Sequence, residues 1–282
     1  MIKRIRRIPT QGEVFVKVGE SVRPETIVAT GTVINPDIRK VTVATHIGVD
    51  MSDVEKYMLK EKGDEVRKDE VIAIRRSFFD QSTKTCRSPI DGTVEAFSRS
   101  SGIVLIRGKP ILIEVRAHIP GEVVEIIPRE GAVIECKGTL IRGMFGIGGE
   151  RLGELTLAVD KADEPLTAEA IVNDYRGKIV VGGSFVTIDA LHQAATTGAN
   201  GIIIGGVDEK DLTEFLGYEI GIGVTGKEEK GLTLIITEGF GINPMDARLF
   251  TMLKSNEGKR ASIDGSTQIR ARMLRPEIII PS

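Results

Sequence analysis

Three segments in the first half of this 282-residue chain share one spacing of glycine and β-branched residues. They are Val18-Gly-Glu-Ser-Val-Arg-Pro-Glu-Thr-Ile-Val-Ala29, Lys62-Gly-Asp-Glu-Val-Arg-Lys-Asp-Glu-Val-Ile-Ala73 and Glu130-Gly-Ala-Val-Ile-Glu-Cys-Lys-Gly-Thr-Leu-Ile141. Each has Gly second, an apolar residue fifth and an apolar pair near its end. A glycine in that place supplies a turn with positive φ, and the flanking Val and Ile fill strands. A second element also returns. Ser88-Pro-Ile-Asp-Gly-Thr-Val94 precedes Gly102, and His118-Ile-Pro-Gly-Glu-Val123 precedes Gly131, with ten residues separating Gly92 and Gly121 from those glycines. Helical periodicity is almost missing from the first ~155 residues, which therefore read as β.

These segments resemble the half-motifs of barrel-sandwich hybrid modules, the fold of biotinyl and lipoyl carrier domains. Similar modules occur in membrane-fusion adaptors and as insertions in large RNA polymerase subunits. The resemblance spans residues 10–145 and implies a closed β module; it leaves activity open, because one fold serves many roles. Carrier domains present a modified lysine on the hairpin between the halves. Lys84, in Asp80-Gln-Ser-Thr-Lys-Thr-Cys86, lacks the Met-Lys-Met or Asp-Lys-Ala setting of that family. Asp160-Lys161-Ala162 has the setting but lies beyond the third half-motif and a glycine-rich insertion of the wrong length. Both lysines read as ordinary exposed residues, and no cofactor is expected.

After residue 160 the period changes. Lys178–Gly183, Gly201–Gly206, Ile220–Thr225 and Leu232–Thr237 read as buried strands. Between them, Thr187 caps a helix with Ile188, Leu191 and Ala195 on one face and Gly198 at its end. Asp208 caps a shorter helix with Leu212, Phe215 and Leu216 inward and Gly217 as its stop. Asn243, followed by Pro244, is expected to cap a third, with Met245, Leu249, Met252 and Leu253 as an apolar stripe. Alternating strands and helices imply a largely parallel sheet. The run from Gly177 to Gly206 resembles the swivelling β/β/α class of mobile domains. The expected architecture is thus mixed: an all-β barrel-sandwich hybrid at 1–155, an α/β domain at 156–258 and a short β tail at 259–282. The dense glycine stretch Gly143-Met-Phe-Gly-Ile-Gly-Gly-Glu150 reads as the hinge between the first two.

In open parallel sheets, ligands settle beyond the carboxyl ends of the strands. The residues there are Gly182, Gly183, Ser184, Gly205, Gly206, Asp208, Thr225, Gly226, Glu238 and Gly239, and they are the candidate ligand-binding set. Paired glycines let a ligand approach the backbone, although equally they satisfy tight strand–helix turns. Gly221-Ile-Gly-Val-Thr-Gly226 has a G-x-G-x-x-G spacing, and with Lys227 a G-x-x-x-x-G-K spacing. Neither opens a helix, and Glu228 stands where a P-loop holds Mg²⁺ through Ser or Thr, so nucleotide binding is not expected there.

Composition excludes more than it suggests. There is no Trp, aromatics are 4%, and the only histidines are at 46, 118 and 192, which is too little for base-stacking platforms or zinc clusters. Cys86 and Cys136 make no disulfide framework; each has a cationic neighbour, Arg87 or Lys137, that could depress its pKa. Net charge is +2 over residues 1–160, −8 over 161–247 and +4 over 248–282. This is not the concentrated basic face of a nucleic-acid binder. The basic segments Lys3–Arg7 and Arg270–Arg275 read as solvated faces able to touch an acidic partner. No apolar run approaches the ~18 residues of a membrane span, and the N-terminus has no secretory pattern, so a cytoplasmic location without membrane insertion is expected. Exposed strand edges and the apolar Glu277-Ile-Ile-Ile-Pro281 leave room for a homo-oligomer.

With no catalytic constellation and no carrier lysine, the sequence points to a non-enzymatic binding or scaffolding protein. It would contact a protein partner through its β module and glycine-rich loops. The alternatives are an enzyme or small-ligand sensor using the glycine-edged sheet of residues 178–241, and a transcription- or RNA-associated module.

Overall fold

The computed structural model describes residues 1–76, 82–98, 100–218, 230–267 and 274–282. Strands predominate, and the chain forms two compact units. The larger comprises residues 1–7, 14–29 and 115–282; the smaller comprises 8–13 and 30–114. Residues 1–155 thus contribute to both units, and position 155 lies within the strand Glu150–Leu157.

In the smaller unit, the strands Ile38–Thr42, Ile103–Gly108, Gly92–Ser98 and Glu65–Val66 pair in that order. A hairpin, Val71–Arg76 with Thr83–Arg87, stands beside them. Alternation along Ile103–Gly108 sends Val104 and Ile106 inward, onto Val41, Ile47, Ile72, Cys86 and Val94. The larger unit carries its own four-stranded sheet, Ile2–Arg7, Gly131–Cys136, Gly121–Ile127 and Ser21–Val22, over a core of Val16, Val22, Val28, Ile119, Val123 and Ile134.

The recurring half-motifs have matching hydrogen bonds in the two units. In one, Gly19 N–H bonds Val123 O at 2.8 Å and Val123 N–H bonds Glu20 O at 2.9 Å; in the other, Gly63 N–H bonds Val94 O and Val94 N–H bonds Asp64 O, both at 2.9 Å. The Glu20 carboxylate accepts from Lys17 N–H at 3.0 Å, and that of Asp64 accepts from Glu61 N–H at 2.8 Å. Thr26 Oγ1 accepts from Arg23 N–H, and Glu70 Oε2 from Arg67 N–H. Both turn glycines have positive φ, 84° and 97°. The Gly-x-Val element is also explained. A Cβ on Gly92 would lie 2.0 Å from Arg107 O, and one on Gly121 2.3 Å from Glu135 O, so each glycine lets a partner strand close in. The third half-motif differs: Gly131 opens a strand, and the positive φ falls on Arg129 instead.

The remainder of the larger unit is built on a nine-stranded mixed sheet. Its order runs Gly138–Arg142, Glu277–Pro281, Arg260–Asp264, Glu150–Leu157, Ile179–Val181, Gly201–Val207, Thr233–Phe240 and Phe145–Ile147, with Phe185–Val186 beside Gly201–Val207. Glu150–Leu157, Ile179–Val181, Gly201–Val207 and Thr233–Phe240 are parallel, as the alternating pattern implies. The two strands of the expected tail, Arg260–Asp264 and Glu277–Pro281, are antiparallel members of this sheet.

Gly143–Glu150 is not a hinge. Gly138–Arg142 forms one end of the sheet and Phe145–Ile147 the other, with only Gly143 and Met144 between. Gly143 N–H bonds Pro276 O at 2.9 Å, and Met144 N–H bonds Ile236 O at 2.8 Å. The chain therefore turns a corner that closes the sheet on itself. A Cβ on Gly143 would sit 2.7 Å from Ile235 Cγ2, and one on Gly146 2.8 Å from Gly265 O, which is why glycine is dense here.

Alternate strand residues serve two cores. Val180, Ile202, Ile204, Leu234 and Ile236 face Leu191, Ala194, Leu212 and Phe215 of the helices Ile188–Thr197 and Glu209–Leu216. Ile179, Val181, Ile203 and Ile235 join Phe250 and Leu253 of the helix Ala247–Ser255 and the strand residues Ile263, Ile278 and Ile280. Thr187 and Asp208 cap their helices, accepting from Ala190 N–H and Lys210 N–H, and Gly198 and Gly217 end them at φ 82° and 80°. The third helix is capped by Asp246 rather than Asn243. Met245 N–H bonds Ala162 O at 3.1 Å and Asp246 N–H bonds Glu238 Oε1 at 3.1 Å, which keeps the chain extended past Pro244.

Candidate functional site

The parallel strands bring most of the sequence-derived ligand set together, and the chain's own backbone lies against Gly183, Gly205 and Gly206. Gly205 N–H bonds Gly183 O at 2.9 Å, and Ser184 N–H bonds Glu164 O at 2.8 Å. A Cβ on Gly183 would lie 2.4 Å from Glu164 O, one on Gly205 2.0 Å from Asn243 O and one on Gly206 2.1 Å from Gly241 O. Gly182 is closed by the Leu166 and Ile204 side chains. The loops at 161–164 and 239–245 therefore lie directly on these glycines. Glu238 Oε1 accepts from Asp246 N–H and Thr237 Oγ1, and Asp208 serves as a helix cap. Gly239 has φ 147° with no atom near its Cβ position. Thr225 and Gly226, with the rest of the Gly221–Lys227 motif and the strand expected at 220–225, lie outside the described residues.

A cluster that sequence reasoning missed forms in the larger unit around the strand Ile2–Arg7. Its alternation is inverted for a basic strand: Ile5 is 64% exposed, whereas Arg4 and Arg6 turn inward. Arg6 grips Glu150 with both terminal guanidinium nitrogens, one at 2.6 Å, and its Nε donates to Arg116 O at 2.7 Å. Arg4 pairs with Glu277 and lies 3.7 Å from Asp264 and 3.9 Å from Glu150. Glu277 also takes Arg142 at 3.2 Å. The segment read as a solvated basic face thus spends Arg4 and Arg6 on internal carboxylates. Of the second segment, Arg270 and Arg272 lie outside the described residues. Arg275 lines a cavity of about 380 Å³ with Arg4, Arg142, Asp264, Leu274 and Glu277.

His118 stands at the inner edge of this cluster. Its backbone is held in the left-handed region at φ 58° by an N–H bond to Pro24 O at 2.8 Å. His118 Nε2 is 3.7 Å from Glu150 Oε2, and Nδ1 is buried with no hydrogen-bond partner. Burial pushes the His118 pKa down, outweighing the pull of the Glu150 charge. Burial alone would push the Glu150 carboxyl up, but its bonds to Arg6, with the charges of Arg6, His118 and Arg4, carry it below the usual carboxylate value. Glu150 is therefore ionised and His118 neutral near pH 7. Nε2 faces the carboxylate and is the natural seat of the imidazole proton, which leaves Nδ1 as an unsatisfied acceptor.

Burial raises the pKa of both Cys86 and Cys136, so neither thiol has the depressed value that its cationic neighbour suggested. Lys84 lies in the strand Thr83–Arg87 opposite Arg75, and Lys161 in a surface turn; both are exposed. Among the described residues no group of three or more His, Cys, Asp or Glu is placed to hold a metal, and no helix is long and apolar enough to cross a membrane.

In the smaller unit, large aliphatic side chains are exposed on two hydrogen-bonded segments, the approach to and start of the strand Ile38–Thr42 and the start of the strand Ile111–Arg116. Ile34, Ile38, Ile111 and Leu112 are 76, 38, 44 and 63% exposed. Asn35 Nδ2 donates to Lys109 O at 3.0 Å and Gly108 N–H bonds Asp37 O at 3.0 Å, which ties 34–38 to 108–112. Comparison with known proteins gave no family model, no curated relative and no solved structure that matches this chain.

Proposed function

We propose that the chain is a non-enzymatic binding protein that docks a protein partner on its smaller unit. The observation that carries this reading is the aliphatic group Ile34, Ile38, Ile111 and Leu112, four large side chains left in water on two hydrogen-bonded segments. Large aliphatic side chains gathered in water mark an interaction site more often than a folding accident. The paired hydrogen bonds of the two repeats support a further part of the reading: a barrel-sandwich hybrid module with repeated half-motifs over residues 10–145, followed by a swivelling-type α/β domain. On this reading the protein works in the cytoplasm, a location that its two free, buried cysteines support.

The ligand-sensor alternative has less support, because backbone lies within 3 Å of the Cβ positions of Gly183, Gly205 and Gly206. The RNA-associated alternative loses two of its cations, Arg4 and Arg6, to internal carboxylates.

The test is quantitative affinity capture from native lysate using the intact chain, its Ile111→Glu/Leu112→Glu variant and a Glu209→Arg control. The reading predicts a partner held by the wild type and the control and depleted at least tenfold in the aliphatic variant. Equal capture by all three proteins would overturn it.

A further inference from the structure

The docking surface of the smaller unit leaves His118 unused, although this residue of the larger unit carries two energetic costs at once. Its backbone is left-handed at φ 58°, and its Nδ1 is buried with no hydrogen-bond partner. Each lowers stability. The repeat requires neither. Counted back from Gly92 and Gly121, the matching residue is Pro89, whose ring fixes φ at about −65° and which has no N–H to donate. The bond from His118 N–H to Pro24 O at 2.8 Å is therefore particular to this half-motif pair. With Ala117 N–H to Thr26 O at 2.9 Å, it holds the segment Ala117–Pro120 against the turn at 23–26.

The groups around the ring decide what a proton would do there. Glu150 Oε2 lies 3.7 Å from Nε2, but both terminal guanidinium nitrogens of Arg6 already hold that carboxylate, and Arg4 stands 3.9 Å from it. Asp264 also favours a cationic ring, whereas Arg6 and Arg116 oppose one. Lys259 and Arg260 line the same small cavity as His118, and Arg260 is paired with Glu25 at 2.7 Å. Burial outweighs the carboxylates and keeps the seated ring below the ordinary imidazole value. With Nε2 carrying the first proton, a second must go to Nδ1. It would make a buried N–H without an acceptor, which the ring can pair only by leaving its seat for water.

We propose that Ala117–Pro120 is a proton-operated latch: in mild acid His118 swings into water as it takes up a proton, and the segment releases the turn at 23–26 while the rest of the larger unit stays folded. Opening relieves the left-handed residue and hydrates Nδ1, at the loss of the two backbone hydrogen bonds. The sign of the pH dependence is fixed. The released ring has the ordinary value of about 6.5 and the seated ring a lower one, so acid favours the open form between the two, and the effect levels off below the seated value.

The experiment is native-state hydrogen exchange on the intact protein, read by NMR from pH 7.5 to 5 and in low urea, with intrinsic rates divided out. The amides of Ala117 and His118 are compared with those of Leu191 and Ala194, buried in the helix Ile188–Thr197. The first pair should open at least tenfold more readily than the helix and ignore low urea, since a local opening exposes little surface. Between pH 7.5 and 5 their opening equilibrium should rise at least fivefold and at most about 30-fold, the limit for one proton on a group of ordinary value about 6.5. His118→Asn tolerates the left-handed backbone and does not titrate in this range, so it should abolish the rise. A pH-independent opening, a urea dependence equal to that of the helix amides, or an Asn variant that keeps the rise would each overturn the proposal. So would a His118 imidazole signal titrating at or above the ordinary value, because the seated ring would then accept the proton in place.

Discussion

Replacing Gly205 with alanine separates the two readings of the glycine-edged sheet. The new Cβ would stand 2.0 Å from Asn243 O, 2.8 Å from Gly183 O and 2.9 Å from Met245 N, all of them backbone atoms. No side-chain rotation relieves such contacts, so the 239–245 loop has to move by more than an ångström. That movement strains or breaks the bonds Gly205 N–H to Gly183 O, Gly241 N–H to Val207 O and Met245 N–H to Ala162 O. Overpacking costs ~1–3 kcal/mol and each lost bond ~0.5–1.5 kcal/mol; with one or two of the three lost outright, the total is roughly 2–6 kcal/mol. At ~2–4 °C per kcal/mol for a unit of this size, the melting temperature should fall by roughly 10 °C. Circular dichroism on heating and in urea, without any ligand added, measures this. If the glycines instead face an open ligand site, the variant should melt within a degree or two of the wild type, and that result would refute the reasoning. Gly63→Ala is the control. Its φ is 97° but nothing lies within 4 Å of the Cβ position, so only the backbone penalty of about 1 kcal/mol is expected.

Further expectations concern the ion cluster, its acid response, the thiols and the caps. Glu150→Gln leaves the Arg6 charge buried without its partner and should cost about 3–5 kcal/mol in urea titration, whereas Arg7→Ala, at an exposed pair, should cost under about 1 kcal/mol. Glu150 titrates below its ordinary value in the folded state, so its contribution is present above the unfolded carboxylate pKa and is lost as pH falls through the folded one. His118 is also lowered: below the ordinary imidazole value the unfolded chain takes up a proton first, and stability declines from there downward. His118→Gln should therefore flatten the decline between neutral and mildly acidic pH while leaving the carboxylate step, as read by midpoints across a pH series. Native Cys86 and Cys136 should react with Ellman's reagent far more slowly than in denaturant, since burial raises both thiols; fast native labelling would contradict this. Asp208→Ala removes the cap bond to Lys210 N–H and should cost about 1 kcal/mol.

Local rules made much of the fold legible. Thr187, Asp208, Gly198 and Gly217 cap and stop their helices where the sequence places them, because capping acts over three or four residues. The repeated Gly-x-Val spacing was readable for the same reason, although the close approach of Arg107 O and Glu135 O that demands it was not. What failed depends on contacts distant in sequence. Gly143–Glu150 looks like a hinge until Pro276 and Ile236 are seen to bond its two sides. Asn243 looks like a cap until Ala162 and Glu238 claim the residues after Pro244. The Gly183, Gly205 and Gly206 set came together, but its meaning changed once the 239–245 loop lay on it. Arg4, Arg6, Glu150, His118 and Glu277 could not be grouped in advance, since 273 residues separate Arg4 from its partner Glu277. Two faint signals did exist: Ile5 interrupts a run of cations, and His118 replaces the proline of the other repeat.

The working surface assigned to the smaller unit can be tested most directly by contact. A photoreactive amino acid placed at Leu112 in the intact chain should crosslink one discrete protein on illumination in native lysate, and the same group at exposed Glu209 should not. Absence of a discrete product at Leu112, or the same product from both positions, would contradict the account.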